Sequence, residues 1–98
     1  KRLAHTENLA QSLATKDPEI RIAYMIMELS DKYGKQRGAH IHIDLPLSRE
    51  ELASYVGVTR ETISRKFSRF EDSGLIELIG NKQMIIIDPA GLESYMGY

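Results

Sequence analysis

An α+β domain, with a helical core and a small antiparallel sheet, is the fold class these 98 residues predict. Three observations predict it. Helix start signals precede amphipathic stretches near residues 18, 48 and 59. Short strand-like segments stand at 40–45, 75–79 and 84–87, each closed by a turn or breaker residue. The length suits one small domain with an appended helix.

Residues 1–14 read as a helix, with Leu3, Ala10 and Leu13 near one face, too few positions for a coiled coil. Asp17 then caps a second helix, Pro18 fits its first position, and Glu19 favours the positive end of its dipole. Ile22, Ile26, Leu29 and Tyr33 follow at i, i+4, i+7 and i+11, an amphipathic stripe. Gly34 is placed to end that helix in a left-handed conformation. Residues 34–39 form a polar loop, and 40–45 alternate polar and apolar as a half-buried strand that Pro46 stops.

Two helices with complete start signals come next. Ser48 caps the first, Glu51 closes a capping box, and Leu47 is placed to staple against Leu52. Thr59 caps the second, with Val58 placed to staple against Ile63. Gly57 between them suits the positive φ of a tight turn, so two short helices meet through three or four residues, a helix-turn-helix. The second helix runs to about Ser73 and Gly74 terminates it. Strands at 75–79 and 84–87 join through Gly80-Asn81-Lys82-Gln83 as a hairpin, and with 40–45 they make a three-stranded sheet. Asp88-Pro89 starts a short terminal helix. A helix-turn-helix followed by a hairpin is a winged helix-turn-helix.

Composition bounds what such a domain can do. The hydrophobic share of 42% is that of a globular chain. No stretch is long and apolar enough to span a membrane, so none is expected as a partner. The chain contains no cysteine, which excludes disulfides and thiolate metal sites in these residues and fits a cytoplasmic location. It opens Lys1-Arg2-Leu3 without Met, as a piece of a longer chain would. Net charge is −1 and the isoelectric point about 6.3, so any nucleic-acid surface must be a local basic face.

Such a face lies on the second helix of the pair. At about 100° per residue, Ile63, Phe67 and Phe70 fall within an arc of roughly 60°, while Arg60, Glu61, Ser64, Arg65 and Ser68 fill the next 140° or so. From Arg60 to Arg69 the balance is four basic residues (Arg60, Arg65, Lys66, Arg69) against Glu61, or +3, in an otherwise acidic chain. These polar groups sit in the N-terminal turns, the part that enters the major groove in helix-turn-helix proteins. Arginine matches guanine O6 and N7, glutamate accepts from cytosine N4, and serine serves base or phosphate. Base reading is therefore expected of Arg60, Glu61, Ser64 and Arg65. Phosphate contacts are expected of Ser48 and Arg49 at a helix start, of Thr59, Thr62, Lys66 and Arg69 flanking the reading face, and of Asn81, Lys82 and Gln83 at the wing tip.

Residues 47–76 resemble the helix-turn-helix of the cyclic-AMP receptor protein and fumarate–nitrate reduction regulator (CRP/FNR) family. The string Val-Gly-Val-Thr-Arg-Glu-Thr-Ile-Ser-Arg at 56–65 is the most specific part. Residues 1–14 are similar to the end of that family's dimerisation helix, 18–33 to the first helix of its DNA domain, and 75–87 to its wing. The resemblance implies a division into residues 1–16, the end of a dimerisation helix, and 17–98, a winged helix-turn-helix. It also implies that Glu61 and Arg65 read the TGA step shared by both branches. Arg60 matches the cyclic-AMP branch, which favours TGTGA over TTGAT half-sites, and Ser64 matches the fumarate–nitrate branch. Lys66 departs from the general pattern, which prefers an apolar residue there. The implied partners are double-stranded DNA, a second copy of the full-length protein, and RNA polymerase. An effector domain is implied upstream.

Other chemistry lacks its residues. His40 and His42 share a strand face but have no evident third ligand, and His5 is isolated. Adjacent pairs such as Glu50-Glu51 and Glu71-Asp72 diverge on helices and cannot act on one substrate. No hydrolase, zinc-protease or dinucleotide motif occurs, so neither an enzyme nor a cofactor is expected in these residues. The rival reading is a winged helix that docks a protein through this second helix or through the wing, without reading DNA. It requires large apolar side chains on the exposed docking face, where the second helix carries Arg, Glu and Ser.

Overall fold

The computed structural model describes residues 17–96, so the helix expected at 1–14 and the dimer-helix segment at 1–16 lie outside the described residues. Helix α1, Pro18–Tyr33, begins where Asp17 accepts a hydrogen bond from the Glu19 amide at 2.9 Å, with Pro18 in its first turn. Every residue from Ile22 to Ser30 is buried, so the helix runs through the domain instead of lying on it with one apolar stripe. Tyr33, expected in that stripe, is 47% exposed.

Gly34 does not form a left-handed cap. Its backbone is extended (φ −77°, ψ 148°), and it opens strand β1, Gly34–Arg37, where the sequence predicts a polar loop. Close approach requires the glycine: a Cβ would collide with the Ser30 carbonyl and stand 2.7 Å from Ile41 Cγ2. Strand β1 pairs antiparallel with β2, His40–Asp44, in the register Gly34↔Ile43 to Arg37↔His40. Helix α2, Arg49–Val56, carries the expected capping box: Ser48 Oγ accepts from the Glu51 amide at 3.1 Å, and Glu51 Oε1 accepts from the Ser48 amide at 2.8 Å. Gly57 follows at φ +78°, and the Val58 amide donates back to the Ala53 carbonyl at 2.9 Å. Helix α3, Arg60–Asp72, starts with Thr59 Oγ1 accepting from the Thr62 amide at 3.1 Å.

Strands β3, Ile76–Ile79, and β4, Gln83–Ile86, form the wing hairpin, turning at Gly80 (φ +62°). Helix α4, Pro89–Glu93, is capped by Asp88 and leads into a 3₁₀ turn, Ser94–Met96. The sheet has four antiparallel strands in the order β1-β2-β4-β3, one more than the sequence predicts. The extra strand is an exposed edge whose Lys35, Gln36 and Arg37 show no apolar alternation; backbone pairing to β2 defines it. One core joins the layers: Ile22 and Ile26 from α1, Leu52 from α2, Ile63, Phe67 and Phe70 from α3, Met84 and Ile86 from β4, and Leu92 from α4. Leu47 and Val58 pack partly buried against it. The fold is α+β, a winged helix-turn-helix.

Candidate nucleic-acid interface

The site is built outward from the buried side of α3. Ile63, Phe67 and Phe70 are each 0% exposed, which fixes the rotation of the helix about its axis. That rotation leaves Arg60, Glu61, Arg65 and Ser68 exposed and Ser64 half-buried at their edge. Together these five side chains line one shallow depression, so the structure brings all four expected base-reading residues to one surface. Glu61, in the first turn, also complements the positive end of the helix dipole.

The N-terminus of α2 and the wing meet beside this surface. Ser48, Arg49, Arg60, Asn81 and Lys82 line a common cleft, which joins one base-reading candidate to four of the expected phosphate ligands. Arg49 is held there by two contacts. Its guanidinium carbon lies 5.1 Å from the Phe67 ring centroid, and Nη1 donates to the Asn81 carbonyl at 3.4 Å. Partial burial, and then the charge of Arg60, push the Arg49 guanidinium below its usual value, against a weaker pull from Glu71. Arg49 thus ties the wing turn to both helices of the pair. Thr59 and Thr62 bond each other, hydroxyl to hydroxyl at 2.9 Å, at the start of α3.

Lys66 and Arg69 are placed differently. Lys66 Nζ and Arg69 Nε each stand 3.3 Å from Glu19 Oε1, so both side chains reach across to the first turn of α1. This explains how a lysine occupies a position where an apolar residue is the rule: its side chain is only 28% exposed and its charge meets a carboxylate. The Tyr95 hydroxyl donates to Glu19 Oε2 at 2.8 Å, and its ring meets Phe70 edge-on at 5.4 Å. Desolvation pulls the Glu19 carboxyl upward, but hydrogen bonds from Tyr95 and Lys66 and the charge of Arg69 outweigh it and hold the group below the usual carboxylate range.

Sequence reasoning missed two supports. Glu19 is legible only as a helix-start acid, although the odd cation at Lys66 signals that a carboxylate must lie nearby. Nothing in the sequence marks Arg21. Its Nε donates to the Val56 carbonyl at 2.9 Å and its Nη2 to the Gly57 carbonyl at 3.4 Å, fastening the turn between α2 and α3 to α1. His40 and His42 are half-buried on β2, and no group of three or more potential metal ligands occurs among the described residues. Tyr33, Tyr55 and Ile79 are the large apolar side chains that stand exposed among the described residues, and none is on α3. The feature that protein docking through α3 requires is therefore missing from it, whereas the wing strand β3 carries Ile79, 46% exposed.

The model of the Crp-like helix-turn-helix domain matches residues 20–95. The chain belongs to that family. Crp-like relatives agree with the assignment. The transcriptional activator protein FnrA of Stutzerimonas stutzeri is 36% identical over 85 residues, which are 87% of this chain and 34% of that protein. A CRP-like cAMP-activated global transcriptional regulator of Mycobacterium tuberculosis is 32% identical over 85 residues, 87% of this chain and 38% of the relative. The chain thus spans about a third of the curated relatives it matches. Among solved structures, a CooA variant from Carboxydothermus hydrogenoformans superposes with a TM-score of 0.82 at 24% identity, covering 92% of this chain and 41% of that one. A CRP-family transcriptional regulator from Thermus thermophilus gives 0.78 at 24% identity, covering 96% and 47%. Both support the winged Crp-like fold. The family is one of DNA-binding transcription regulators, not enzymes.

Proposed function

We propose that this Crp-like domain binds double-stranded DNA sequence-specifically as the output domain of a transcription regulator, with α3 in the major groove. One observation carries the reading: α3 holds Arg60, Glu61 and Arg65 in solvent while Ile63, Phe67 and Phe70 lock its reverse side into the core. Glu61 and Arg65 read the TGA step, and Arg60 favours TGTGA over TTGAT half-sites; Ser64 lies at the edge of the same surface. Ser48, Arg49, Thr59, Thr62, Asn81 and Lys82 contact phosphates, which fix register and orientation without carrying sequence information. In the full-length protein two copies pair, and their recognition helices enter successive major grooves about 34 Å apart on a near-palindromic site. Residues 1–16 end the dimerisation helix, RNA polymerase is a further partner at the promoter, and the complex works in the cytoplasm. No cofactor is assigned to these residues.

A fluorescence-anisotropy titration against a palindromic TGTGA duplex and a scrambled duplex of equal composition tests the reading. Tighter binding to the palindrome is expected at every salt concentration. Equal binding to both duplexes sinks the specific reading, and no binding to either sinks the DNA reading.

A further inference from the structure

One carboxylate holds two cations of the recognition helix. Glu19 Oε1 lies 3.3 Å from both Lys66 Nζ and Arg69 Nε, and the Glu19 side chain is only 14% exposed. The Tyr95 hydroxyl fixes the other carboxylate oxygen at 2.8 Å, and the Tyr95 ring is seated against Phe70, so the acid is held in place by the core. Lys66 stands about 100° round the helix from Arg65, toward the core edge, and its side chain is 28% exposed against 66% for Arg69. Arg69 stands one turn beyond Arg65 and about 40° round the helix from it. Arg69 therefore borders the base-reading face, and Lys66, further round, would reach a backbone alongside it only by swinging its long side chain away from Glu19.

A phosphate offers a lysine or arginine much the same anionic oxygens as a carboxylate does. Cations that neutralise phosphates raise affinity for all sequences alike. Glu19 is already in contact, whereas DNA must compete for the same two groups. We propose that Glu19 is a positioning residue that sets specificity: by holding Lys66 and Arg69 on the protein it withholds two phosphate ligands, so that affinity rests more heavily on the base-reading residues. The proposal builds on the DNA-binding reading above and assigns Lys66 and Arg69 to Glu19 instead of to the phosphate backbone.

The test measures affinity for the scrambled duplex as a function of salt, for the chain and its variants, with circular dichroism melts to verify folding. Lys66→Met and Arg69→Met in the otherwise unchanged chain are expected to leave the slope of log affinity against log salt unaltered, because neither group meets a phosphate. Glu19→Gln keeps an acceptor for Tyr95 and frees both cations. It is expected to steepen the slope by about 1 to 2, near 0.9 per added phosphate contact, and to narrow the preference for the palindrome. Adding Lys66→Met and Arg69→Met to Glu19→Gln is expected to restore the original slope. Asp72→Asn, exposed at the end of α3, controls for the loss of one negative charge. If Glu19→Gln changes the slope no more than Asp72→Asn does, the proposal is overturned. A slope that falls by about 0.9 on Lys66→Met alone overturns it too, and that measurement decides the matter should Glu19→Gln not fold. Loss of all DNA binding by the unchanged chain overturns the parent reading together with this one.

Discussion

Arg65 and Lys82 are both exposed cations at the proposed interface, yet they should behave differently. Arg65 stands on the exposed face of α3 proposed to read bases, where a guanidinium would form two parallel hydrogen bonds with one guanine. Arg65→Ala is expected to cost about 1–3 kcal/mol against the palindrome and to flatten discrimination at its base pair, read by titrating duplexes altered at that position. Lys82 lies on the wing turn, where a backbone contact carries charge but no sequence information. Lys82→Ala should weaken binding to every duplex alike and reduce the salt slope by about 1. If Lys82→Ala alters base preference while Arg65→Ala does not, the two assignments are interchanged.

At the scale of elements, the interface depends on the rigidity of the α2–turn–α3 unit. The capping box at Ser48 and Glu51 satisfies orphan amides at the start of α2. Gly57 makes the turn with φ at +78°, and Arg21 clamps the carbonyls of Val56 and Gly57 from α1. Ser48→Ala is expected to lower stability by about 1 kcal/mol in a denaturant melt, since one hydroxyl acceptor is lost at an exposed helix start. No effect would mean that solvent serves that amide equally well. Phe67 joins two roles, as a fully buried anchor of α3 and as the platform under Arg49. Phe67→Ala should cost about 3–5 kcal/mol by opening a cavity and should also release the tie between Arg49 and the wing turn. A loss under about 1 kcal/mol would contradict the packing described.

Over the whole molecule, the Glu19 cluster joins α1, α3 and the terminal 3₁₀ turn, so acid should act on the fold globally. The Glu19 carboxyl is held below its usual range in the folded state. A depressed acid contributes stability that is present above its unfolded value, about 4.3, and is lost as pH falls through the lower folded value. Melting temperature is therefore expected to drop below about pH 4.5, and the drop should be shallower in Glu19→Gln. Parallel acid limbs in the two proteins would show that other carboxylates govern the transition.

The sequence by itself determined the helix-turn-helix, because its signals are local. Ser48 with Glu51, Thr59, Gly57 and the spacing of Ile63, Phe67 and Phe70 each lie within one or two helical turns, so they can be read from the sequence even though packing supplies most of the stability. Arg60, Glu61, Ser64 and Arg65 were legible for the same reason: once the apolar stripe faces inward, their direction follows. What the tertiary structure decided involves partners far apart in the chain. Strand β1 exists because β2 pairs with it, not because Lys35, Gln36 and Arg37 alternate. The conformation of Gly34 is fixed by the approach of Ser30 and Ile41. Lys66 and Arg69 read as free cations on a helix flank until α1 brings Glu19 to them across 47 and 50 residues. Periodicity reports which way a side chain points, but only the packed chain decides which opposite charge waits there.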